Sequence, residues 1–223
     1  MAPESVAKLL APYDLAPVGR SHHDPGEAAA AATALGYPVA VKVADPQILH
    51  KSDRGLVKVG LRSEAEVTAA IEAFGVERGT SDVPVLVQPM LDGIEVALGM
   101  VRDATFGPLV MVAAGGVDID VWDDRAFLLP PVSEPDAARA LRALRIWPLL
   151  AGHRGRPPAD VAGLERRLVS LAQLGTDVPQ VAELGLNPVM VGADHVSVVD
   201  AKVRVSTAPA LDAGIPRRLR PAP

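Results

Sequence analysis

Gly36-Tyr-Pro-Val-Ala-Val-Lys42, followed closely by Ile48-Leu-His50-Lys-Ser-Asp53, sets a lysine and a histidine around the end of an apolar strand. Val39, Ala40, Val41 and Val43 form a short run bounded by Pro38 and Pro46, which reads as a strand buried on both faces. Lys42 interrupts that run. An unpaired buried ammonium is very costly, so either its head snorkels to solvent while its stem stays buried, or an anion such as a nucleotide phosphate meets it. His50 lies on the polar loop beyond the strand. A neutral imidazole there is nucleophilic and titrates near neutrality, although a structural role is the alternative for a histidine in such a setting.

Helices and strands alternate outward from this stretch. Asp24, Pro25 and Glu27 place a cap, a first-turn proline and a capping-box acid before the alanine-rich run 28–35, and Gly36 stops it. Ser63 and Glu66 repeat the box ahead of Val67, Ala70, Ile71 and Phe74, whose spacing puts them on one helical face. Further strands are expected around Leu56–Leu61 and Val83–Met90, with several short ones between Ile94 and Leu129. Ser133 opens a helix through Ala143, Asp160 opens one through Gln173, and Val181–Val189 with Val196–Val203 reads as a closing strand pair. His22 and His23 fall in a loop before the first of these helices, and His195 in a hairpin turn. From Ser206 onward proline and arginine accumulate, as in a loosely packed tail.

Composition limits the function. With 223 residues, 49% of them hydrophobic, the chain can build one large or two small domains around a sizeable core. The net charge of -5 comes without a long basic run, so neither nucleic acid nor an anionic membrane is an expected partner. The chain has no cysteine, which excludes disulfides, thiolate nucleophiles and cysteine-ligated metal centres. The N-terminus lacks the basic flank and continuous apolar stretch of a signal peptide, and no long apolar span follows. The cytoplasm is the expected compartment.

The order of motifs resembles an ATP-grasp domain, and more narrowly the nucleotide-binding subunit of NDP-forming (ADP-forming) acyl-CoA synthetases. The resemblance is carried by the opening stretch, Val87-Gln-Pro-Met90, Gly93-Ile-Glu-Val-Ala-Leu-Gly99, Phe106-Gly-Pro108, Gly152-His-Arg-Gly155, and Glu183-Leu-Gly-Leu-Asn-Pro188 with Val199-Asp200. Asp118-Ile-Asp-Val-Trp-Asp-Asp-Arg125 is also similar to the domain fused to GNAT acetyltransferases in some bacterial proteins. The resemblance implies an α+β fold of two lobes, residues 1–90 and 91–204, with ATP or ADP between them and 205–223 as a flexible tail.

It also implies roles. Gln88, Pro89 and Met90 would flank the adenine, with Gly55 near the phosphates and Lys42 as their point charge. Glu95 would accept hydrogen bonds from the ribose hydroxyls, its alternative being a solvated strand carboxylate. Asn187 and Asp200 match the family's Mg²⁺ ligands, hard oxygen donors of the kind that cation requires, although Asn187 before Pro188 also suits a turn. His50 corresponds to the phosphate acceptor, which relays phosphoryl groups to a second histidine on a CoA-binding partner subunit. Gly152-His-Arg-Gly155 would brace lobe packing.

Several positions depart from the family pattern. Leu56 stands where a second glycine is usual, and would crowd the phosphate. Gly185 replaces an acid two places before the metal-binding asparagine. Leu128 follows Phe127 where many members carry an arginine, and Arg125, three positions away, would point to the opposite face. Ala113-Ala114-Gly115-Gly116 stands for Gly-x-Gly-Gly. Two functions therefore compete: the ATP-grasp subunit of an acyl-CoA synthetase, and a degenerate nucleotide-binding or structural module without turnover that partners an acyltransferase or synthetase. An ATP-grasp ligase joining a carboxylate to an amine ranks behind both, since it needs no phosphohistidine.

Overall fold

The computed structural model describes residues 1–45, 48, 51, 54–80, 82–116 and 123–206. His50, Asp53, most of the segment 118–125 and the tail beyond Ser206 lie outside the described residues.

The chain opens with helix α1 (Pro3–Leu10), then builds β1 (Arg20–His22), α2 (Pro25–Leu35), β2 (Val39–Val43), β3 (Val57–Leu61), α3 (Glu64–Arg78) and β4 (Val85–Pro89). The four strands form one antiparallel sheet in the order β1-β4-β2-β3. The Asp24 carboxylate accepts from the Glu27 amide at 2.8 Å and caps α2, and the Ser63 hydroxyl accepts from the Glu66 amide at 3.2 Å and caps α3. Glu66 reaches back to the Arg62 amide at 2.9 Å, one residue before the cap. Both helices lay their apolar faces on one side of the sheet, where Ala28, Val41, Val67, Ile71, Phe74 and Val87 share a core.

Strand β2 is not buried on both faces. Val39, Val41 and Val43 are fully buried against the helices, while Ala40 and Lys42 lie on the other, partly open face. The period-2 alternation of a half-buried strand thus directs Lys42 away from the helical core. His22, expected in a loop, lies in β1, a strand too short to show a pattern.

The second sheet follows. Strands β5 (Ile94–Asp103), β6 (Gly107–Ala114) and β7 (Arg125–Leu128) precede α4 (Glu134–Ala143), α5 (Trp147–Leu150) and α6 (Val161–Asp177); β8 (Val181–Val191), β9 (Val196–Val198) and β10 (Ala201–Val205) close the described chain. Their order is β10-β8-β5-β6-β7, with β9 paired to β8, all antiparallel. Helices cover one face only, over a core that includes Leu98, Val112, Leu141, Leu168, Leu171 and Leu186. Val6, Leu10 and Leu15 belong to this second core although they begin the chain. Among the described residues no helix is long and apolar enough to cross a membrane.

A bulge interrupts the pairing of β8 with β5. Leu186 pairs with Leu98 and Val189 with Val96, so two residues of β8, Asn187 and Pro188, oppose the single Ala97 of β5. Such an insertion re-aims the side chains around it. The buried positions change parity accordingly, from Leu184 and Leu186 to Val189 and Val191.

Candidate nucleotide site

The two sheets meet where β2 faces the turn between β9 and β10. The Lys42 ammonium donates to the Asp200 carboxylate at 2.8 Å and to the Val199 carbonyl at 3.2 Å. Its side chain is 12% exposed and that of Asp200 38%, so the pair lies partly open to solvent at the seam between the sheets, the candidate cleft, rather than in a core. The Asp200 carbonyl accepts from the Asn187 amide at 3.2 Å, and Val199 donates to the Pro188 carbonyl at 3.0 Å. The bulge therefore sets the exposed Asn187 beside the carboxylate-bearing turn.

A second lysine enters the same field. Lys51, partly buried, has its pKa lowered, first by burial and then by the repulsion of Lys42 and Lys202, with Asp200 and Asp45 opposing the shift. Asp45 is already paired with Arg78 at 2.8 Å. Lys51 thus feels both Lys42 and Lys202, with Asp200 and the Arg78-paired Asp45 as the carboxylates in the same field, a concentration of ammonium groups suited to a polyanion.

Gln88 lies on the same face of the first sheet as Lys42 but is enclosed there. Its side chain is 2% exposed, and its amide nitrogen donates to the carbonyls of Val18 at 2.6 Å and Val199 at 2.8 Å. It ties the first sheet to the second. Pro89 is partly exposed and Met90 is 43% exposed, where the chain passes from one sheet to the other. The Met90 amide donates to Pro38 O at 3.3 Å.

Glu95 is exposed on the open face of the second sheet, and its carbonyl accepts from the Gly115 amide at 2.9 Å. A Cβ at Gly115 would lie 2.7 Å from the Glu95 and Val96 backbone, and one at Gly116, whose φ is +94°, would lie 3.0 Å from the Glu95 carboxylate. The turn can lie across Glu95 only because both residues are glycine. Beyond it, a cavity of about 220 Å³ opens on the same face, lined among others by Ala97, Gly99, Met111, Phe127, Gly185 and Asn187.

A family model for an ATP-grasp domain matches residues 1–205. The chain belongs to the ATP-grasp family. Within that family it is homologous to the beta subunit of ADP-forming acyl-CoA synthetases. It is 34% identical over 176 residues to the acetate–CoA ligase [ADP-forming] I subunit beta of Pyrococcus furiosus, covering 76% of this chain and 75% of that one. It is 35% identical over 199 residues to the acetate–CoA ligase [ADP-forming] I of Archaeoglobus fulgidus, covering 87% of this chain but 28% of that longer protein. Among solved structures, the dinucleotide-forming acetyl-coenzyme A synthetase 1 of Ca. Korarchaeum cryptofilum superimposes with a TM-score of 0.81 at 32% identity, covering 92% of each chain. That structure holds coenzyme A and Mg-AMPPCP, with its phosphohistidine segment pointing towards the nucleotide binding site.

The departures from the family pattern take different positions in the fold. The Leu56 side chain is fully buried in the first core, and its carbonyl accepts from the Val43 amide at 3.1 Å. The side chain is enclosed by that core rather than exposed in the turn. Leu128 packs against the second core, on the helical side of its sheet, whereas Arg125 and Phe127 occupy the opposite face. Ala113, the one substituted glycine position of that motif, is a buried strand residue paired with Ala97. Gly185 is different: it opposes Gly99 and Lys202, and a Cβ there would meet nothing within 4 Å.

The remaining expected positions separate. Gly55, at φ +68°, is exposed in the turn before β3. His50, the expected phosphate acceptor, lies outside the described residues beside Lys51. His153 and Arg154 are exposed on a turn rather than braced between lobes. Sequence reasoning misses both Lys51 and the Gln88 tie. For Gln88 the available signal is a polar residue in an otherwise buried strand; for Lys51, only its place next to His50.

Proposed function

We propose that the chain is the nucleotide-binding subunit of an ADP-forming acyl-CoA synthetase, acting with a CoA-binding partner subunit that carries its own histidine. The observation that carries this reading is the 2.8 Å contact between Lys42 and Asp200. It brings the residue proposed for phosphate charge and the residue proposed for Mg²⁺ to one point between the sheets. Nucleotide phosphates would take the ammonium groups of Lys42 and Lys51, with Pro89 and Met90 beside the base and Glu95 at the ribose.

The donors fit magnesium. No cluster of three or more histidine, aspartate or glutamate side chains that could hold a metal occurs among the described residues. One carboxylate with one amide oxygen, completed by phosphate and water, is how Mg²⁺ is commonly held with nucleotides. Asp200 and Asn187 would be its protein ligands, and the cation would neutralise phosphoryl oxygens.

In the proposed relay the neutral imidazole of His50 attacks the γ-phosphorus, forming a nitrogen–phosphorus bond as the bond to the ADP oxygen breaks. The phosphoryl group passes through the partner's histidine to or from the acyl group. Over the whole cycle, acid, CoA and ATP become acyl-CoA, ADP and phosphate. The test is transfer of label from [γ-³²P]ATP to this chain in the presence of a cognate partner. Label is expected on the wild type and lost in His50→Ala; equal labelling of the two removes His50 from the mechanism.

A degenerate module without turnover is the second reading, and Gly185 favours it, since an acid usual at that position is missing from the open face. Nucleotide binding without phosphate release, in the presence of partner, CoA and a panel of short acids, would select it.

A further inference from the structure

We propose that Gln88 is a positioning residue whose side-chain amide holds the Val199–Asp200 turn of the second lobe against β4, so that Asp200 reaches the cleft. The proposal rests on the reading of this cleft as a nucleotide site. The buried amide has two N–H groups, and two carbonyl oxygens, of Val18 and Val199, stand 2.6 and 2.8 Å from its nitrogen. Turned by 180°, it would aim its own oxygen at both, so the neighbours dictate its orientation. The Val199 carbonyl also accepts from Lys42. Gln88 and Lys42 thus converge on the carbonyl of the residue that precedes Asp200.

The surrounding chain is built to this contact. Val18 donates to the Val198 carbonyl at 2.8 Å, joining the two carbonyl-bearing segments directly. Gly19 adopts φ +96°, and a Cβ there would lie 2.4 Å from Val87 O and 2.6 Å from Gln88 Cγ. No side chain fits where the linker crosses the glutamine.

The two partners of the cleft depend on this tie unequally. Lys42 is carried by β2, whose pairing with β3 and β4 does not involve the Gln88 side chain. Asp200 belongs to the other sheet. Removing the amide therefore displaces the carboxylate from the phosphate position while leaving the lysine where it is. The part of nucleotide affinity that depends on Mg²⁺ should be lost, and the part that depends on lysine charge kept. A general loss of stability would weaken both.

The test is calorimetric titration of the whole chain with ADP, with and without Mg²⁺. Wild type should bind ADP at least about tenfold more tightly with Mg²⁺, while Gln88→Met should keep metal-free affinity within about threefold and lose the tightening. Asp200→Ala should show the same loss, and the double variant no further one, as expected of residues acting through one another. If Gln88→Met fails to fold, Gln88→Asn, a methylene shorter and unable to reach both carbonyls, is read instead. Full tightening by Mg²⁺ in a folded variant overturns the proposal.

Failure of wild type to bind ADP would remove the nucleotide reading rather than the tie. The tie is then decided by hydrogen exchange at the Asn187 amide, which donates to the Asp200 carbonyl. Faster exchange there in the variant, with the rest of β8 unaltered, supports it, and unchanged exchange overturns it.

Discussion

Leu56 shows how one side chain's direction decides between two meanings of a substitution. Pointing into the first core, it contributes to stability rather than to an open surface. Leu56→Ala should therefore destabilise the chain by about 2–5 kcal/mol, the usual range for a leucine removed from a packed core, as read by urea unfolding. Lys42 is the opposite case. Lys42→Met should lower Mg-ADP affinity by at least about tenfold, or roughly 1.4 kcal/mol, by calorimetry, with an unchanged circular dichroism spectrum. Lys51 adds a proton linkage. Burial lowers its pKa below the ordinary 10.5, and an arriving phosphate favours the charged ammonium and raises it again. Between those two values nucleotide binding should take up a proton. Calorimetry at alkaline pH in buffers of different ionisation heat should show this uptake, and Lys51→Met should remove it.

Helix ends are the most legible elements, because capping is local chemistry. Asp24, Ser63, Ser133 and Asp160 each accept from a backbone amide three residues on and start the helices their sequence announces. At α4 the box is complete: Asp136 accepts from the Ser133 hydroxyl and amide, which together hold its carboxyl below the ordinary 3.8. A carboxyl with a depressed folded pKa adds stability above its unfolded value and loses it as pH falls through the folded one. Asp136→Asn should therefore melt below wild type at pH 7, and the two curves should converge as pH is lowered past the carboxylate range. The strands are less legible where tertiary pairing defines them. Three-residue β1 exists because β4 offers an edge, and the second-core role of Val6 and Leu10 reflects a helix returning to β10 from the other end of the chain. The β8 bulge does leave a trace, the shift of apolar parity at Asn187-Pro188.

At the scale of the molecule, the family and its two-sheet architecture follow from the order of motifs, and the meeting of Lys42 with Asp200 is implied by the family resemblance rather than by any pattern within the chain. Lys42 and Asp200 are 158 residues apart, and no spacing rule joins them. Because the two cores are separate clusters and the cleft lies between them, a nucleotide touching both should stabilise the whole. Mg-ADP at about a hundred times its dissociation constant should add about 2.7 kcal/mol, seen as a rise in melting temperature that Asp200→Ala reduces. The Lys42–Asp200 contact also governs how the cleft is filled. At rest Lys42 occupies one oxygen of the Asp200 carboxylate, and Lys51 lies in the same field, so a bare divalent ion approaches against positive charge. A cation escorted by a polyphosphate instead exchanges partners in a single trade, carboxylate to metal and ammonium to phosphate. Loading should accordingly be concerted: Mn²⁺ alone should show weak water-proton relaxation enhancement with wild type, and stronger enhancement with Lys42→Met, where the carboxylate is left waiting.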